Sequence, residues 1–357
     1  MAATNPRPSG KPPVRSRRAS AQRWRTDAQS VFLTGASGFV GSHVLRELLA
    51  AGHEVLALTR GSPALDRARQ DAGPGRLRLV PGEMENVGGF ARALNGCRYV
   101  VHCAALYSFA PAERARMHAV NVKGTASLAE AARVARVERF VLTSSSAALG
   151  ASGRGETRTE DDWAHGGGAE NYHHSKLDQE RAAFAAQLPV VALLPTAPVG
   201  PGDSKPTPTG KMILDFARGK MFSLPPCGGM NLVPVEDVAR AHVSALRQGS
   251  AGGRYILGGE NLMLDEVWEL LASVTQRPLP RFRAPHALAM AMAYADEARC
   301  RLVPHAVPHI PLEGVRMSVE RMFADSSKAQ RELGFRAGPV RAALERSVEW
   351  FRAHRYL

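Results

Sequence analysis

At 357 residues the chain has room for about two domains and for a sizeable apolar core without disulfides or a structural metal. Hydrophobic residues make up 45% and charged residues 22%, the proportions of an ordinary folded globular chain, and no apolar run approaches the roughly 20 residues of a bilayer-spanning helix. The net charge of +13, taken alone, points to nucleic acid or an anionic surface.

The distribution of that charge argues against a nucleic-acid partner. Residues 1–29 carry Arg7, Lys11, Arg15, Arg17, Arg18, Arg23 and Arg25 against Asp27, a local +6, and the remainder is spread without a basic stripe. This tail is rich in Pro, Ser, Ala and Arg and shows no apolar period, so it reads as disordered. Arg17-Arg18 is a twin arginine, but no apolar stretch follows it, so a cleaved export signal is not expected. Cys97, Cys103, Cys227 and Cys300 form no CxxC pair. That favours a reducing, cytoplasmic setting with thiols packed as small apolar groups.

From Val31 the pattern changes. Apolar runs at Val31–Thr34, Val55–Leu58, Leu77–Val80, Tyr99–Cys103, Phe140–Leu142 and Val190–Leu194 alternate with helical stretches such as Val40–Ala50, Arg114–Arg136 and Ala169–Gln187. The runs lack the in-out alternation of a half-exposed sheet, which predicts strands buried on both faces. The fold class expected is α/β: a doubly wound parallel sheet of Rossmann type over 30–200. Turn-rich segments follow, then helical stretches at Lys211–Gly219, Glu236–Arg247, Leu264–Gln276 and Val340–His354 and a short strand at Arg254–Gly258. Residues 201–357 are thus expected to form a smaller, mixed substrate-binding lobe that returns at least one element to the first domain. The Ala/Met-rich stretch around Met290 and Met292 is most simply core; an adaptable apolar way in for a lipid-linked substrate is the sharper alternative.

Three features carry chemistry. Gly35-Ala-Ser37-Gly38-Phe39-Val40-Gly41 directly follows the first strand and opens the first helix. Glycines there let a pyrophosphate approach backbone N–H groups at a helix N-terminus. The second strand ends in Thr59-Arg60, with no carboxylate before Asp66. A carboxylate would bind a ribose 2′-hydroxyl, whereas Arg60 can grip a 2′-phosphate, so NADP is favoured and NAD remains possible. Tyr172 and Lys176 stand one helical turn apart on the same face. A nearby ammonium lowers the phenol's proton affinity, so that Tyr172 can serve as acid and base at an alcohol or carbonyl carbon. Upstream, Thr143-Ser144-Ser145-Ser146 closes a strand at the sheet edge where such folds bind ligands. A hydroxyl there can donate to a developing alkoxide, and spacing alone does not choose among the serines.

Together these residues resemble the extended short-chain dehydrogenase/reductase family, also described as NAD-dependent epimerases/dehydratases, over roughly 31–357. The resemblance implies the active-site hydroxyl on Ser145, with Ser146 as fallback, and a Lys176 that also bonds the nicotinamide ribose. It implies cofactor contacts from Val101-His-Cys-Ala104-Ala105 and from Pro195 and Pro198 in the loop Pro195–Asp203. Gly82-Glu83-Met84 stands where the family has Gly-Asp-Leu, so the adenine contact would come from the longer carboxylate of Glu83 beside Met84. Asn121-Val-Lys-Gly124-Thr125 and Val233-Pro-Val-Glu-Asp237 match further family segments. Within the family the sequence is most similar to hopanoid-associated sugar epimerases and more distantly to dihydroflavonol reductases. The implied activity is therefore epimerase- or dehydratase-type redox chemistry at a secondary alcohol or ketone of a sugar or lipid-linked sugar, in a homodimer. A net NADPH-dependent ketone reductase is the alternative enzyme, and an NADP-sensing binding protein the alternative outside catalysis. No metal is expected: His305 and His309 read as surface or core. Glu160-Asp161-Asp162 reads as a solvated loop. Tyr107 and Phe109 follow the fourth strand and are candidates to meet substrate.

Overall fold

The computed structural model describes residues 29–357 apart from 73–74, 109–110, 153–155, 165–171, 222, 225–227, 284, 304–307 and 311, and leaves out the side chains at 111, 172, 173, 313 and 317. All but the last residue of the basic tail therefore lies outside the described residues, as do Phe109 and His305.

Six strands alternate with helices: β1 (Ser30–Thr34), α1 (Phe39–Ala50), β2 (Glu54–Thr59), α2 (Pro63–Ala72), β3 (Leu77–Pro81), β4 (Tyr99–His102), α3 (Arg114–His118), α4 (Gly124–Val134), β5 (Arg139–Thr143), α5 (Tyr172–Phe184) and β6 (Val190–Pro195). Further along come β7 (Ala197–Val199), α6 (Pro208–Ala217), β8 (Ser223–Leu224), β9 (Gly229–Pro234), α7 (Val235–Gln248), β10 (Arg254–Leu257), β11 (Glu260–Met263) and α8 (Leu264–Thr275). The chain closes with β12 (Phe282–Arg283), α9 (His286–Leu302), α10 (Leu312–Met317), β13 (Arg321–Met322), α11 (Ser327–Leu333) and α12 (Val340–Ala353).

The main sheet has seven strands in the order β10-β6-β5-β4-β1-β2-β3, every neighbouring pair parallel. Strand order reverses between β1 and β4, which opens a crevice at the carboxyl ends of those strands. Burial on both faces explains the missing alternation. Val31 and Leu33 pack with Val44, Leu45 and Leu48 of α1 and with Val238 and Ala245 of α7. Phe32, between them on β1, packs on the opposite face with Leu128, Ala129 and Ala132 of α4. A side chain buried this way stabilises the fold by about 1.5–3 kcal/mol relative to exposure.

A separate core joins α6, α8 and α12, with Trp268 stacked on Phe216 at 6.0 Å between ring centres. It rests on a small sheet in which β9 pairs with β7, β11 and β13. The expected single helix over 114–136 is interrupted: a π-helical turn, Ala119–Lys123, separates α3 from α4.

Strand β10 extends the main sheet beyond β6, although α6, β9 and α7 intervene in sequence. A buried ion pair ties it there. The Arg254 guanidinium bonds the Glu180 carboxylate of α5, lies over the Trp163 ring at 3.7 Å and donates to the Asp162 carbonyl at 2.8 Å. The acidic run is thus no solvated loop. Glu160 is buried and accepts the Ile256 N–H at 2.8 Å, Asp162 pairs with Arg158 at 3.1 Å, and Asp161 alone is exposed. Edge strand β10 needs these partners because its backbone has a sheet neighbour on one side only.

The Glu180 side chain has no exposure, so Arg254→Met should strand a buried charge and destabilise the protein by about 3–5 kcal/mol. Urea denaturation of Arg254→Met and of Arg254→Met/Glu180→Met checks this, with the double variant recovering much of the loss.

Candidate active site

The turn from β1 to α1 is shaped by contacts that exclude side chains. Gly35 has φ +74°, and a Cβ on it would lie 2.6 Å from the Ala104 N. A Cβ on Gly41 would lie 2.1 Å from the Gly35 carbonyl oxygen, so the first turn of α1 sits directly on the loop. Gly38 donates its N–H to that same carbonyl at 2.9 Å. Helix α1 begins at Gly38 with no side-chain cap and no acid in its first turn, which leaves its N-terminal N–H groups free for an anion. Ser37 and Gly38 are exposed and Phe39 and Val40 half-buried beside them. A dinucleotide pyrophosphate fits this cradle.

Other elements converge on the same crevice. Ala104 is half-buried and Ala105 exposed where β4 ends; the Ala104 N–H donates to Thr34 Oγ1 at 3.2 Å. Pro195 ends β6 and Pro198 lies in β7. The loop after them is fastened to α1, where His43 Nε2 bonds the Pro201 carbonyl at 2.8 Å. Burial lowers the proton affinity of His43, which suits a neutral ring donating that bond. Arg60 is exposed at the tip of β2, next to a turn in which the Gly61 N–H bonds Thr59 Oγ1 at 3.0 Å. Glu83 is exposed as well, whereas the Met84 side chain is buried with Phe90 and Val120.

At the end of β5 the serines separate by environment. Ser144 is buried, its hydroxyl donated to Glu180 at 2.6 Å. Ser145 is half-buried; its oxygen accepts the Ala147 N–H at 3.1 Å and caps a short 3-10 turn, Ser146–Leu149. That bond leaves the hydroxyl hydrogen of Ser145 available to an outside acceptor.

Lys176, on the second turn of α5, is buried at 2% exposure, and its ammonium donates to the Thr143 carbonyl at 2.8 Å and to Gln179 Oε1 at 2.5 Å. Loss of hydration lowers its pKa to about 8, with the Glu180 carboxylate acting in the opposite direction. Gln179 continues the chain: it donates to Thr125 at 3.1 Å, Thr125 bonds His102 Nε2 at 2.8 Å, and His102 Nδ1 bonds Thr34 at 2.6 Å. Burial, then the Lys176 charge, pushes His102 down to about 3, so its ring is neutral. This buried line runs from the lysine to the residue preceding Gly35. The sequence expectations held His102 and Thr125 within family-like segments but did not link them to Lys176, because only the fold makes Thr34, His102, Thr125 and Gln179 neighbours.

Asn121 holds the remaining side. From the π turn, where such irregularities often mark function, it donates to the Leu106 carbonyl at 2.9 Å and to Ser175 at 2.8 Å, and accepts the Leu106 N–H at 2.7 Å. Helix α5 opens with Tyr172, one turn ahead of Lys176; the tyrosine side chain lies outside the described residues. Tyr107 is 37% exposed on the loop after β4. Cys103 receives a bond from Thr143 at 3.1 Å, and burial pushes its thiol up to about 12, which removes it as a nucleophile.

The arrangement is that of a nucleotide-dependent oxidoreductase: an anion cradle, a buried cation and a free hydroxyl meet at strand tips. Residues 31–258 match the NAD dependent epimerase/dehydratase family, and the chain belongs to that family. It is 35% identical, over 94% of its length and 98% of the relative's, to a dihydroflavonol 4-reductase-like protein of Synechocystis sp.. It is 32% identical to sterol demethylase protein B of Methylococcus capsulatus, over 90% of this chain and 98% of that one. Among solved structures, a nucleoside-diphosphate-sugar epimerase from Pseudomonas aeruginosa superposes with TM-score 0.73 at 26% identity, covering 92% of this chain and 99% of its own.

Lys176 loses stability to its own burial below about 8, and that cost vanishes as pH rises toward the ordinary lysine value of 10.5. The unfolding free energy of the nucleotide-free protein, minus that of Lys176→Met, should therefore rise between those pH values, by on the order of 3 kcal/mol. Denaturant titrations at three or four pH values check it.

Proposed function

We propose that the protein is an NADP(H)-dependent reductase of a secondary ketone, with Tyr172 as acid and base, Lys176 as the cation that tunes it and Ser145 as the donor to the substrate oxygen. The observation that carries this reading is the buried Lys176 ammonium on the Thr143 carbonyl, one helical turn past Tyr172 and beside a serine with a free hydroxyl hydrogen.

A nicotinamide, when bound, supplies the hydride. The residues of this chain manage the proton and the charge. As a carbonyl oxygen gains electron density, the Ser145 hydroxyl donates to it and Tyr172 delivers its proton. A positive Lys176 favours the phenolate left behind and re-protonation from solvent resets the site. Removing such a fixed donor costs about 10²–10³ in rate. Gly35, Ser37, Gly38, Phe39, Val40 and Gly41 are proposed to hold the pyrophosphate, Ala104, Ala105, Pro195 and Pro198 to line the nicotinamide side, and Glu83 and Met84 the adenine side. NADP is preferred because the β2 tip presents exposed Arg60 and no carboxylate.

Net reduction is supported over epimerisation by the relative at 35% identity, named for a dihydroflavonol 4-reductase. An epimerase acting on a sugar or lipid-linked sugar is the second reading, supported by the sugar-epimerase neighbour. Steady loss of NADPH absorbance in step with product supports the reductase; product without that loss supports the epimerase.

Two variants test the roles. Tyr172→Phe should retain nucleotide binding and lose about 10²–10⁴ in kcat, measured with purified enzyme and any ketone substrate found in a panel; unchanged kcat removes Tyr172 from the reaction. Arg60→Ala should weaken NADPH binding about tenfold or more and leave NADH unaffected; equal loss for both removes the 2′-phosphate assignment.

A further inference from the structure

Helix α9 is built inside out. On a surface helix of a globular protein the charged side chains face water and the apolar ones face the core. Here the carboxylates turn inward. The Asp296 side chain is 9% exposed and paired with Arg299 at 2.8 Å; it also accepts the N–H groups of His309 and Ile310 at 2.6 and 2.8 Å. Glu297, 18% exposed, pairs with Arg301 at 2.7 Å. The outward positions are Leu288, Met292, Tyr294 and Leu302, at 49%, 50%, 52% and 83% exposure, with exposed alanines filling the surface between them. The expectation of a core helix around Met290 and Met292 is therefore corrected: on α9, Ala293 alone is buried.

The segment ahead of α9 has the matching character. Arg277-Pro-Leu-Pro-Arg-Phe-Arg283 sets Leu279 and Phe282, 39% and 58% exposed, among three exposed arginines. Arg283 pairs with Asp265; Arg277 and Arg281 have no acidic partner among the described residues. Of the eleven large apolar side chains exposed among the described residues, seven fall between 279 and 303, so the apolar surface is one feature rather than scatter.

We propose that this face, the outer side of α9 with the Arg277–Arg283 segment, docks on the surface of an anionic lipid bilayer. Charge complementarity selects that occupant. A second copy of this chain would bring the same arginines against each other, whereas anionic headgroups neutralise Arg277 and Arg281 while Phe282, Leu288 and Met292 enter the acyl boundary. Arginine stems also suit this depth, with the stem in the apolar layer and the guanidinium at the headgroups. The helix lies on the membrane and does not span it: among the described residues no helix is long and apolar enough to cross one.

The test is sedimentation of the full-length protein with vesicles of phosphatidylcholine alone and with phosphatidylglycerol added. Wild type is expected to partition to the anionic vesicles. Leu288→Glu/Met292→Glu should weaken that partition about tenfold or more, and Arg277→Glu/Arg281→Glu similarly at low salt. The basic N-terminal tail is present in every variant, so the difference between them reports on this face alone. The substituted side chains are exposed and distant in sequence from the glycine loop, so NADPH binding measured in parallel should be unchanged, and the arginine pair stands as an independent variant if the helix pair fails to fold. The proposal is overturned if wild type ignores anionic vesicles or if both variants bind as wild type does. It is equally overturned if the helix variant turns a dimer into a monomer while its vesicle binding is untouched.

Discussion

One buried ammonium organises the site. Lys176 is removed from water, a costly placement for a charge unless its hydrogen-bonding capacity is met. Thr143, at the tip of β5, and Gln179, one turn along α5, meet it, and the Glu180 carboxylate supports the charged form. Each of these partners is itself engaged. Gln179 leans on Thr125 and, through His102, on Thr34; Glu180 is bonded by Ser144 and Arg254. The lysine therefore cannot shift without disturbing both the glycine turn and the edge strand. This fixed position is obtained at the expense of stability at neutral pH, because burial disfavours the charged ammonium.

The same network joins the two halves of the chain. Arg254 comes from a strand reached only after β9 and α7, yet it neutralises a carboxylate on the helix that carries the Tyr/Lys pair. The second apolar core, around Trp268, stands clear of this contact. Helix α9 contributes no residue to that core. Its carboxylates are consumed by internal pairing, which turns an apolar side outward.

Much of the fold was legible in the residues. Unalternating Val/Leu runs such as Val190–Leu194 announced strands covered on both faces, and the glycines at 35, 38 and 41 announced a helix end open to an anion. Those signals are local: they depend on the chain within a few residues of each position. The candidate lysine was legible for the same reason, since four residues along a helix put it on the face of Tyr172. The failures were of another kind. The Glu160 run reads as solvated because acidic residues usually are, and the Met290 stretch reads as core because apolar residues usually are; in each case a distant partner, or the lack of one, reversed the rule.

The sequence by itself determined the element types, the parallel sheet and the residue kinds available at its strand tips, because backbone conformational limits and hydrophobic periodicity act over short spans. Only the tertiary structure decided that Ser144, of three adjacent serines, has its hydroxyl hydrogen committed inside the fold. Ser144 loses its hydrogen to Glu180, which reaches it from 36 residues away, whereas Ser145 spends only an oxygen lone pair on the turn beside it. A hydrogen bond is settled by distance in space, and no spacing along the chain encodes that distance until the helices have packed.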